Sequence, residues 1–125
     1  MKKGFTLIEL LIVVAIIGII AAIAVPTLVS TRGAALQSKA KGMLRTLSSA
    51  EAAYIAKEGT YGSWAELVID GYLDSRWSSP FTEDGVTYTE TGSGSGAQTF
   101  EATAAVPAPI NKTYTIDETG EIKET

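Results

Sequence analysis

The residue with the most chemical consequence is Glu9. It is the lone charge between Lys3 and Arg32, and it stands at the front of an apolar run. A carboxylate inside a membrane span costs about 2.5–3.5 kcal/mol on insertion scales. A free anchor helix has no reason to bear that cost, so the carboxylate is expected to find a cationic partner. In apolar surroundings, removing one member of such a pair is costly.

Few other chemistries are open to the chain. Its 125 residues contain no cysteine and no histidine. That excludes a disulfide framework, a Cys/His zinc site, a thiol nucleophile and a histidine base. Ser48-Ser49 and Ser78-Ser79 have no nucleophile motif around them, so no enzyme and no cofactor are expected. Asp117, Glu118 and Glu121 offer oxygen ligands of the kind calcium takes. The same segment, Ile116 to Ile122, also reads as a hairpin turn, and no metal is assigned. Trp64, Tyr72, Trp77, Phe81, Tyr88 and Phe100 read as core aromatics. The formal net charge of −4 argues against general nucleic-acid binding.

Glu9 belongs to an element sized for a bilayer. No charged residue occurs from Leu10 to Thr31. As a helix, Phe5 to Val25 is roughly 31 Å long, which matches a hydrocarbon core of about 30 Å. Lys2 and Lys3 precede it, the expected cytoplasmic flank. Beyond it a helical period continues. Leu36, Ala40, Met43, Leu47, Ala50 and Tyr54 fall on one face, with Lys39, Lys41, Arg45, Ser49 and Glu51 elsewhere on the surface. Gly59 supplies a stop. One helix over residues 5–58 is predicted, transmembrane over about 5–28. Pro26 lies inside it and is expected to kink or locally melt it.

Residues 59–125 read as a small α+β head. Ser63-Trp64-Ala65-Glu66 is a capping box that opens a short helix ending near Gly71. Glu83-Asp84-Gly85 is a turn. Strands are predicted at Val86 to Tyr88, Phe100 to Val106 and Tyr114 to Ile116, with a short fourth at Ile122. Gly92 to Gly96 is a flexible loop, and Asp117 to Gly120 is a turn. Short connections favour an antiparallel meander. The fold class is therefore α+β, a long N-terminal helix packed against a small antiparallel sheet. About 65 residues of head are marginal alone, so the amphipathic half of the helix is expected to cover the sheet.

Charge is segregated along the chain. Residues 1–45 hold six basic groups and one acid, while residues 46–125 hold four basic groups and 13 acids. The stem cations are expected to meet a membrane face or the heads of neighbouring copies.

Lys2-Lys3-Gly4-Phe5-Thr6-Leu7-Ile8-Glu9-Leu10-Leu11 resembles the N-terminus of type IV pilins and pseudopilins. The resemblance continues through Gly18 and Pro26. It implies that residues 1–4 are a leader, cut by a prepilin peptidase between Gly4 and Phe5, with N-methylation of the new Phe5 amine. It implies assembly roles for Glu9, Gly18 and Pro26. With Phe5 as the first mature residue, its ammonium lies within about one helical turn of Glu9, and staggered helices bring one copy's Glu9 to another's Phe5. The resemblance further implies a helical homopolymer, with a prepilin peptidase/methylase, an assembly ATPase and a platform protein as partners. The place it implies is the bacterial inner membrane before assembly, then an extracellular pilus or a periplasm-spanning pseudopilus.

Two alternatives stand beside the pilus subunit. One is a pseudopilin of a type II secretion system, which the missing cysteines suit, since many type IV pilins close a C-terminal loop with two. The other is a secreted soluble protein whose ordinary signal peptide ends after Ala22-Ile23-Ala24. Glu9 in the apolar core and the unbroken helical pattern fit that one poorly.

Overall fold

A computed structural model describes residues 4–92 and 96–125. The expected Lys2-Lys3 flank and the middle of the Gly92–Gly96 loop lie outside the described residues. Helix α1 runs Leu7–Glu58, followed by helix α2 at Trp64–Ile69 and a 3₁₀ turn at Ser75–Ser78. Five strands follow: β1 Phe81–Glu83, β2 Val86–Glu90, β3 Glu101–Val106, β4 Lys112–Asp117 and β5 Ile122–Glu124. The chain divides into two compact units, Met1–Ala34 and Ala35–Thr125, with the division inside α1.

In the first unit every large apolar side chain from Phe5 to Val29 is exposed. By length and composition, α1 is long and apolar enough to cross a membrane. The helix begins at Leu7, two residues later than expected. It remains helical on both sides of Pro26, so the local melting expected there is not present in this chain. The ring still removes one backbone donor from the helix.

The second unit is a helix on a sheet. Its five strands are antiparallel in the order β1-β2-β3-β4-β5, the expected meander with one strand more than expected. The unforeseen strand is β1. Asp84 and Gly85 both have positive φ, 52° and 87°. Two such residues make the type I′ connection that suits the twist of paired strands. The turn was legible, but three residues ending in a glutamate carry too little alternation to announce a strand.

Alternation selects the buried face. Val86, Tyr88, Ala102, Ala104, Val106, Tyr114 and Ile116 are buried, each two residues from the next along its strand. In register, Ala104 of the middle strand lies between Tyr88 and Tyr114. Small side chains at the centre and large ones beside them leave room for the second half of α1. The Tyr114 hydroxyl donates to Gln37 Oε1 at 2.7 Å. Lys39 of α1 pairs with Asp84 and Glu83 in the β1–β2 hairpin.

The buried stripe of α1 is offset from the expected one. Ala40, Leu44, Leu47, Ala50, Glu51 and Tyr54 are buried, whereas Leu36 and Met43 are only partly covered. Leu44 was not anticipated, and Glu51, expected on the surface, is fully buried. Both fit a 4-3-4-3 spacing from Ala40 to Tyr54. That stripe competes with its neighbour on the same helix, and only packing decides between them. The aromatics behave as expected. Trp64 and Trp77 meet edge to face at 4.9 Å, and Phe81 stacks on Tyr88 at 4.9 Å.

Candidate processing and assembly segment

Gly4 and Phe5 precede α1, and Phe5 is 86% exposed. The Gly4–Phe5 bond is thus carried on non-helical backbone, where a protease can extend it. Thr6 and Glu9 then form a reciprocal cap. The Thr6 N–H donates to Glu9 Oε2 at 2.8 Å, and the Glu9 N–H donates to Thr6 Oγ1 at 3.2 Å. Two of the donors left over at a helix start are thereby satisfied. The signal was in the sequence, as Thr-x-x-Glu before an apolar run. In the single chain Glu9 therefore serves the start of its own helix.

Gly18 and Pro26 lie within α1. A methyl group added at Gly18 would meet nothing within 4 Å. Nothing in the chain itself demands glycine there, so any close approach at Gly18 must come from another molecule.

The Asp117–Glu121 segment folds as a hairpin connection. Asp117 Oδ1 accepts from the Thr119 N–H at 3.0 Å and from the Thr119 hydroxyl, and Oδ2 accepts from Lys123 at 2.9 Å. The Thr119 hydroxyl first, and then Lys123, holds its carboxyl down to about 2. Both oxygens are thus engaged within the β4–β5 hairpin. Among the described residues no three carboxylates gather as a metal set.

A second carboxylate arrangement escaped the sequence reading. The Gly62 N–H donates to Glu51 Oε2 at 3.1 Å, the Ser63 N–H to Glu66 Oε2 at 2.8 Å and the Trp64 N–H to Glu90 Oε1 at 3.1 Å. Three glutamates from three elements thus hold three consecutive donors at the start of α2. The Ser63–Glu66 part is the expected capping box, complete in both directions. Burial pushes the Glu51 carboxyl up to about 7 despite the Gly62 hydrogen bond, and the nearby Glu90 and Glu66 charges add to the rise.

An exposed apolar helix opens with a Thr6–Glu9 cap, and a small antiparallel sheet packs on the amphipathic second half of the same helix. Residues 1–25 match the family model described as the prokaryotic N-terminal methylation motif. The chain is also similar to the "Type IV major pilin protein PilA" of Myxococcus xanthus (strain DK1622), 46% identical over 67 residues. That alignment covers 54% of this chain and 30% of the relative, so the chain matches less than a third of the relative's length.

Proposed function

We propose that the protein is a structural subunit of a type IV pilus and catalyses no reaction. The observation that carries this reading is the coincidence of the methylation motif with a helix whose large apolar side chains, from Phe5 to Val29, find no cover in the chain. Exposed apolar surface on that scale calls for lipid or for other chains. A subunit stored in the bilayer and then packed into a filament uses both.

In this reading a prepilin peptidase/methylase cuts between Gly4 and Phe5 and methylates the Phe5 amine. The Glu9 carboxylate leaves the Thr6 cap, or shares it, to meet the Phe5 ammonium of a neighbouring copy. Gly18 admits close helix contact, and Pro26 weakens the segment that must adjust when lipid is exchanged for protein. An assembly ATPase and a platform protein act on the subunit at the inner membrane, and the product is an extracellular filament.

Mass spectrometry of the mature N-terminus, with electron microscopy of sheared surface filaments, tests the reading. N-methylated Phe5 and long filaments rich in this protein are expected. An N-terminus at Val25 rejects it in favour of a signal peptide. Absence of filaments, with a secretion defect on deletion, rejects it in favour of a pseudopilin.

A further inference from the structure

Within the Ala35–Thr125 unit, two surface features remain without a counterpart. The first is a groove of about 250 Å³ lined by Lys41, Arg45, Tyr114, Gly120, Ile122 and Glu124. Lys41 and Arg45 are one helical turn apart on α1. Lys41 lies over the Tyr114 ring at 5.0 Å, and Glu124 is taken by Lys112 at 2.7 Å. Among the described cations of the Ala35–Thr125 unit, Lys39, Lys57, Arg76, Lys112 and Lys123 all have a carboxylate partner, whereas Lys41 and Arg45 have none. The groove is thus a cationic cleft in which Ile122 is the partly exposed apolar side chain and Tyr114 lies buried beneath Lys41.

The second feature is the end of α2. Ile69 is 81% exposed, and among the described residues every other exposed large apolar side chain lies at Val29 or earlier. Asp70 follows it as the exposed cap residue, its N–H spent on Glu66 O and its carboxylate in no ion pair among the described residues. An apolar side chain and an acid thus project together.

The two features cannot meet within one chain. Trp64 of α2 packs toward Phe81 of β1 at 6.4 Å, and its N–H is held by Glu90 of β2. The groove lies at β4 and β5, the opposite edge of the sheet. We infer that the Ile69–Asp70 projection of one copy seats in the Lys41/Arg45 groove of the next, Asp70 against the two cations and Ile69 beside Ile122. Opposite charges with apolar side chains beside them give such a contact both register and some desolvation. Because the two surfaces differ, the contact is head-to-tail and propagates instead of closing on a pair. The inference rests on the filament reading and names a head contact within it.

The test uses the full chain and measures sheared filament yield, with circular dichroism as the check on folding. If the wild-type chain builds no filament, the filament reading itself fails before any variant is compared. Given wild-type filaments, Asp70→Arg and Arg45→Asp each lower the yield at least about tenfold by placing like charges together. The double variant Asp70→Arg/Arg45→Asp restores most of it. Single variants at wild-type yield, or a double variant no better than the singles, overturn the contact. In a chain without native cysteine, Arg45→Cys with Asp70→Cys gives a cross-linked ladder in filaments treated with a short bismaleimide. Filaments of that variant yielding only monomer overturn the contact as well.

Discussion

Glu51 Oε2 accepts the Gly62 N–H at 3.1 Å, while Glu51 Oε1, buried in the same side chain, has no hydrogen-bond partner. One carboxylate thus combines a designed contact with an unmet one, inside the core of the Ala35–Thr125 unit. A protonated carboxyl suits that position better than a carboxylate, because one oxygen then carries no charge out of water.

The stability of this unit should therefore depend on pH in an unusual direction. The Glu51 carboxyl is pushed up from 4.5 to about 7 in the fold. Between these values the folded chain holds a proton that the unfolded chain releases, so stability falls as pH rises from about 4.5 to about 7. The full loss is about 3 kcal/mol above that window. Thermal melts of the full chain in detergent should show the slope, and Glu51→Gln should flatten it and raise the melting temperature at pH 8. A Gln variant that keeps the slope would assign it to another group.

Glu9 tests the division between capping and assembly. Glu9→Gln keeps an oxygen to accept the Thr6 N–H and removes the charge. It should give a chain that is cut, methylated and held in the membrane, with helix content unchanged and filaments absent. Glu9→Ala loses the cap as well, at about 1 kcal/mol. Normal filaments from Glu9→Gln would leave capping as its whole role.

Pro26→Ala restores a backbone donor in mid-helix and should stiffen α1 by as much as about 3 kcal/mol. Membrane insertion should be unaffected, since the residue remains uncharged and small. Filament yield should fall if the segment has to adjust during assembly. Equal yield from the alanine variant would remove Pro26 from the assembly reading.

Gly62 has no room for a side chain. A Cβ there would lie 2.9 Å from the Tyr54 ring, beneath the loop that Glu51 holds. Gly62→Ala should destabilise the unit by about 1–3 kcal/mol, as overpacking does. Chemical denaturation of the variant measures it, and Gly42→Ala, where nothing lies within 4 Å, is the matched control expected to stabilise.

The N-terminal segment was the most legible part of the sequence, because its signal is local. A charge-free run, a glutamate and a glycine–phenylalanine pair need no folding partner to be recognised. The β-meander was legible where alternation ran for several residues, as from Phe100 to Val106. Strand β1 and the Glu51 pocket were not, for a shared reason. Phe81–Glu83 becomes a strand only by pairing with Val86–Tyr88, and Glu51 becomes a core residue only because Gly62, beyond the end of α1, meets it. The Thr6–Glu9 cap is local, and its Thr-x-x-Glu signal stands in the sequence before the apolar run.

The division of α1 at Ala34 has a consequence for proteolysis. Leu44, Leu47, Ala50 and Tyr54 belong to the hydrophobic core of the downstream unit. A nick near Ala34 frees a fragment that keeps its whole core, whereas a nick after Glu58 strips the sheet of its cover. The first leaves the sheet covered and the second exposes its apolar face, so the position of a single cleavage decides whether the head can stay folded.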